Sequence, residues 1–142
     1  KMKMRLPHIV PLSTQGLEIL RELHPLTGRG RFVFPSARGA SRCMSDNAVR
    51  IALRIIGYHK DTMTPHGFRA MARTLLDEVL AYRVDLIEHQ LAHAVRDANG
   101  RAYNRTAHLE GRAIMMQGWA DYLDSLRAQA QSGNVVVEQF RK

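Results

Sequence analysis

Thr64 to Leu76 reads TPHGFRAMARTLL, and it constrains the fold more than any other stretch. A threonine hydroxyl can cap the first free amides of a helix. Pro65 suits the first turn, where its missing N–H has no partner to lose. Behind that start, Phe68, Met71, Ala72, Leu75, Leu76 and Val79 recur at helical spacing. At about 100° per residue, His66, Arg69 and Arg73 fall within roughly 60° of one another, opposite the centre of the apolar stripe. One helix therefore buries an apolar face and presents an imidazole and two guanidinium groups together.

Other helices follow from the same periodicity. Ser13 to Leu23, capped by Ser13 or Thr14, is expected to end before Pro25. Ser45 to Ile56 carries Val49, Ala52, Leu53 and Ile56 inward and stops at Gly57. Val84 to Leu91 is a short helix. Leu109 to about Ala130 is a long amphipathic one, with Met115, Trp119, Tyr122 and Leu126 on one face. Ala102 to Ala107 suits a short helix bearing Tyr103.

The β signal is small. Lys1 to Arg5 (KMKMR) alternates charge with methionine, and His8 to Leu12 follows a Leu-Pro break. The pair reads as a hairpin. Phe32 to Pro35 is a strand or a buried bend. Ser36 to Arg42 (SARGASR) reads as a basic loop, with Arg38 and Arg42 available to phosphates or simply solvated. The tail holds a β-prone VVVEQF. The expected fold class is mainly α with a small antiparallel β-sheet near the N-terminus. The expected organisation is one domain over residues 1–130 and a tail over 131–142.

Composition narrows the partners. The formal charge is +8 in 142 residues, which favours a polyanion, nucleic acid before membrane. No apolar run approaches a membrane span. The single cysteine, Cys43, fits a reducing compartment, so the expected location is the cytoplasm. There is no HExxH, no GxxxxGK[ST] and no metal-ligand spacing among the seven histidines. The expectation is a reaction without metal or nucleotide cofactor.

Downstream of the Thr64 helix, LAHAVRD supplies His93 and NGRAYNR supplies Tyr103 behind an Asn-Gly turn signal. Two histidines, an arginine and a tyrosine can build a phosphate site with its own nucleophile. Fixed donors stabilise the charge that gathers on a phosphodiester in its transition state. Arg69 offers two parallel N–H bonds where lysine offers a point charge. Each residue also has an ordinary role: His93 as a helix C-terminal cap, Tyr103 as a packed ring, Lys1, Lys3 and Arg5 as a solvated edge.

HGFR (His66 to Arg69), LAH ending at His93 and AYNR around Tyr103, in that order, resemble the catalytic domain of tyrosine site-specific recombinases. The likeness is strongest to prophage and genomic-island integrases, and KMKMRLPHIVPLS, FVFPS and MMQGWADYL share in it. It runs from Lys1 to about Leu126. The resemblance implies DNA strand cleavage and rejoining through a 3′-phosphotyrosine. Tyr103, ten residues after His93, matches the nucleophile. Arg69 matches the second catalytic arginine, and His66 the histidine or lysine before it. His93 matches the His/Trp position. Lys3, eight residues before Pro11, matches the hairpin lysine that acts as general acid.

The family's first catalytic arginine has no counterpart here, which implies a truncated catalytic domain inactive by itself. The implied partners are double-stranded DNA attachment sites, a homotetramer on DNA, and accessory DNA-bending or directionality factors. The implied setting is the bacterial nucleoid. Arg73, Arg38 and Arg42 are the expected DNA contacts. A DNA-binding module without catalysis and a type IB topoisomerase are the rival readings.

Overall fold

The computed structural model describes residues 8–93 and 108–133. Its first helix, α1 (Thr14–Thr27), begins at Ser13, whose hydroxyl accepts a hydrogen bond from the Gly16 amide at 3.1 Å. It runs past the stop expected before Pro25. Proline so close to the end forfeits one ladder bond, and the Gly28 amide still closes on the His24 carbonyl at 2.7 Å.

Among the described residues the sheet is one antiparallel hairpin, β1 (Pro35–Ser36) and β2 (Gly39–Cys43). Pro35 stands opposite Cys43 and Ser36 opposite Gly39, with a register shift between them. Its position corrects the sequence reading. Of the hairpin expected over residues 1–12, residues 1–7 lie outside the described residues, and His8 to Leu12 is not a strand. The run Ser36 to Arg42, expected as a loop, supplies the strands instead. Every residue of β2 is exposed, so there is no alternation of burial for the sequence to display.

The second helix, α2 (Ala48–Ile55), starts three residues later than expected, and no side chain caps it. Of its expected inward face only Leu53 is buried; Val49 and Ile56 are exposed. Its Arg54 guanidinium donates to the Met63 carbonyl from both terminal nitrogens at 3.1 Å and to the Tyr58 carbonyl. Those bonds staple the loop that delivers the next helix.

That helix, α3 (Pro65–Thr74), forms as expected. The Thr64 hydroxyl accepts from the Gly67 amide at 3.0 Å, and Pro65 sits at the first position. At Leu75–Val79 it widens into a π-helical turn, where the Leu80 amide reaches back five residues to the Leu75 carbonyl at 2.9 Å. Leu76 turns into the core there. It meets Leu86 and Ile87 of α4 (Val84–Gln90) and Met115 of α5 (Leu109–Gln131). Leu80, Tyr82, Leu91 and Trp119 close around them. Each such side chain, fully buried, contributes about 1.5–3 kcal/mol.

The long helix α5 packs on its own chain, against α4 and α1. Met115 is wholly buried, but the expected stripe opens to solvent by Leu126. Polar pairs hold α1: the Thr14 amide donates to the Gln117 side-chain oxygen, and the Gln15 amide group to Asp121 and Asp124, each at 2.9 Å. Arg112, 1% exposed, ties three segments together. Its guanidinium donates to the Gln90 side-chain oxygen at 2.9 Å and to the Ile9 carbonyl at 2.5 Å. Among the described residues no helix is long and apolar enough to cross a membrane.

Candidate active site

The site is built on the C-terminus of α4. A helix ends with carbonyls that lack partners, and a residue in the left-handed region commonly turns the chain back over them. Ala92 takes that conformation, with φ of 54°. The Ala92 amide then bonds the His89 carbonyl at 3.1 Å and the His93 amide bonds the Glu88 carbonyl at 3.0 Å. This is the Schellman arrangement, in which the sixth residue folds back onto the first. An apolar contact frequently accompanies that closure. Here the facing pair is an imidazole and a carboxylate: His93 Nδ1 bonds Glu88 Oε2.

Two arginines of α3 meet this turn. The Arg69 guanidinium donates to the Leu91 carbonyl, one of the free groups at the helix end, and the same nitrogen lies 3.2 Å from His93 Nε2. A cation here also suits the negative end of the helix dipole. One turn later, Arg73 Nε donates to Glu88 Oε1 at 2.8 Å, and its guanidinium lies 3.9 Å from Asp77. The result is a connected row of polar groups: Arg69, His93, Glu88, Arg73, Asp77.

Protonation follows from geometry. A guanidinium can only donate, so the His93 Nε2 that faces it must accept. Nδ1 then carries the hydrogen and gives it to Glu88. Burial pushes the Glu88 carboxyl up, but the hydrogen bonds and charges of His93 and Arg73 outweigh it. The group is held below its ordinary range. Arg69, Arg73 and His93 remain substantially exposed, so an anion can approach them from solvent.

The structure thus brings together Arg69, His93 and Arg73. His66 lies one turn before Arg69, exposed, with no hydrogen bond or ion pair among the described residues. Arg38 and Arg42 stand exposed on the β1–β2 hairpin. Tyr103 and Lys3 lie outside the described residues. Glu88 was missed by the sequence reading. Its signal was its place five residues before His93, across a helix stop. Among the described residues no three His, Cys, Asp or Glu side chains gather as a metal site would need.

At this helix end a guanidinium and an oriented imidazole stand side by side and open to solvent. Comparison with known proteins gives it a family setting. The chain is 45% identical over 128 residues to the integrase of Enterobacteria phage P4, a match covering 89% of this chain and 29% of that protein. It is 43% identical over 127 residues to the prophage integrase IntZ of Escherichia coli K12, covering 89% of this chain and 31% of IntZ. It is 39% identical over all 142 residues to the prophage integrase IntA of the same strain, 33% of that protein's length. No family model matches the chain, and no solved structure matches it.

The chain is a homologue of phage and prophage integrases, and it spans about a third of the length of these curated relatives. Its helical body with one small antiparallel hairpin fits a tyrosine recombinase catalytic-like domain.

Proposed function

We propose that this chain is the C-terminal part of a tyrosine recombinase catalytic domain, acting in site-specific integration and excision of a mobile element. The observation that supports it best is the meeting of Arg69 with His93 at the end of α4, 3.2 Å apart and open to solvent. Arg69 is the donor for the non-bridging oxygens of the scissile phosphate, His93 stands beside it at the same phosphate, and His66 adds a second donor from the turn before. Tyr103 is the nucleophile. Its oxygen bonds to phosphorus as its proton passes to a base. The bond from phosphorus to the 5′ oxygen breaks, and Lys3 protonates the leaving oxygen.

The phosphotyrosine ester keeps the energy of the broken bond, so a free 5′-hydroxyl can reverse the step on the same or another strand. Residues 1–130 form the catalytic part in this reading, with 131–142 as a tail. Arg38, Arg42 and Arg73 meet the DNA backbone. The substrate is a pair of duplex attachment sites, held by a tetramer of the full-length protein with accessory DNA-bending or directionality factors in a bacterial cytoplasm.

The test is a nicked oligonucleotide whose cleavage releases a short strand and traps the covalent adduct. A full-length integrase carrying this sequence is expected to form the adduct, and its Tyr103→Phe variant to bind the same DNA without forming it. An adduct in the Phe variant would remove Tyr103 from the mechanism. Binding without any adduct in the unaltered protein would favour a DNA-binding module. Relaxation of supercoils without strand exchange would favour a topoisomerase.

A further inference from the structure

We infer that Glu88 is the positioning residue of this site: its carboxylate fixes the plane and tautomer of His93 and clamps Arg73 alongside. Three independent features of the fold converge on it. The Schellman closure of α4 places His93 over Glu88 through the backbone alone, by the 3.0 Å bond from the His93 amide to the Glu88 carbonyl. The side chains then pair in the same direction, Nδ1 to Oε2. The other carboxylate oxygen, Oε1, takes the Arg73 Nε hydrogen at 2.8 Å, so the group is held from both sides and cannot swing away.

Every charged group facing this pair among the described residues fits the assignment. From α3 come Arg69 at Nε2 and Arg73 at Oε1; from the π turn, Asp77 balances Arg73 at 3.9 Å. Without Glu88, Nδ1–H loses its acceptor, and a ring that moves its hydrogen to Nε2 aims a donor at the donating Arg69. The ring then leaves its place. The catalytic consequence rests on the recombinase reading above. A carboxylate at Nδ1 holds the ring in the plane in which Nε2, beside Arg69, faces the place of the substrate phosphate. Removing an orienting carboxylate behind a working histidine of a metal site typically costs about 10–100-fold in affinity or activity, and we expect a loss of that order here.

The first measurement is ¹⁵N NMR of the 142-residue chain with labelled histidine, beside Glu88→Ala and Glu88→Gln variants whose helicity is checked by circular dichroism. In the unaltered chain at alkaline pH, the His93 ring should show a protonated Nδ1 and a bare Nε2. Glu88→Ala should shift it toward the opposite tautomer. A bare Nδ1 in the unaltered chain, or an unchanged ring in Glu88→Ala, overturns the assignment.

The second measurement uses the full-length integrase on nicked DNA. Glu88→Ala should lower the cleavage rate about 10–100-fold with DNA affinity kept, and Glu88→Gln, whose amide oxygen still accepts, should recover part of it. Cleavage at the original rate in Glu88→Ala, or equal loss of binding and cleavage in both variants, overturns the positioning role. If the unaltered full-length protein cleaves nothing, the recombinase reading falls, and the ring signals still decide what Glu88 does.

Discussion

His93 Nε2 lies 3.2 Å from a terminal nitrogen of Arg69, and the same nitrogen bonds the Leu91 carbonyl. One guanidinium therefore spans a helix end and an imidazole, while its other nitrogens have no partner among the described residues. Lysine keeps the charge but presents a compact ammonium that cannot hold this fork. Arg69→Lys in the full-length integrase should leave DNA affinity little changed. It should lower cleavage by about 10²–10³, the usual cost of losing one preorganised donor to transition-state charge. Single-turnover cleavage on nicked DNA checks this, and a Lys variant that cleaves at the original rate would show that charge alone was needed.

Ala92 occupies a backbone position that glycine ordinarily fills, with φ of 54°. The left-handed region costs a residue with a Cβ about 1–2 kcal/mol, and the extra unfolded freedom of glycine returns about 0.4–1 kcal/mol of that. Ala92→Gly should thus stabilise the chain by roughly 0.5–1 kcal/mol without displacing His93. Urea unfolding at constant m-value measures it. A destabilised variant would mean that the Ala92 methyl group is itself packed.

The contrast between the Thr64 helix and the hairpin shows what one sequence can display. Thr64, Pro65 and the Leu76 stripe signal a helix through local chemistry, so α3 and the common face of Arg69 and Arg73 were legible. The hairpin Pro35–Cys43 was not, because its strand is exposed on both faces and its residues read as loop. The π turn at Leu75–Val79 was hidden too, since a widened turn changes no residue type. His93 was legible as a helix-end histidine. Its partner Glu88 was not, because their meeting depends on Ala92 turning left-handed, a conformation that alanine does not advertise.

Acid should weaken the fold in two windows. His89 is buried on α4. Burial first, then the charges of His108, Arg112 and His8, push its pKa below 6.5, against a smaller opposite pull from Asp85. The unfolded chain takes a proton near that value and the folded chain does not. Stability therefore falls as pH drops through 6.5 toward the lower folded value, by at most about 1.4 kcal/mol per pH unit for one proton. Glu88 is depressed from 4.5, so its contribution is present above that value and lost as pH falls through its folded pKa. Thermal melts from pH 7.5 to 5.5 should show a falling Tm, with a flatter slope in His89→Gln. An equal slope in both proteins would place the titrating group elsewhere.

The chain should bind duplex DNA weakly, with an affinity that collapses as salt rises. Its +8 charge is the general cause, and the hairpin gives it a place. Arg38 and Arg42 are exposed there, and Arg29 and Arg31 are exposed in the segment between α1 and β1. A protein that neutralises Z phosphates releases their counterions, so log K falls against log salt with a slope of about −0.9Z. If Arg38 and Arg42 each cover one phosphate, the double alanine variant should flatten that slope by about 1.8 units. The loss should be the same on unrelated sequences, since phosphate contacts position a protein without reading bases. Fluorescence anisotropy over a salt series, on two unrelated duplexes, separates the parts of this argument. An unchanged slope would turn the hairpin away from DNA and leave binding to the Arg69 and Arg73 face. A strong preference for one duplex would mean that this chain reads sequence by itself.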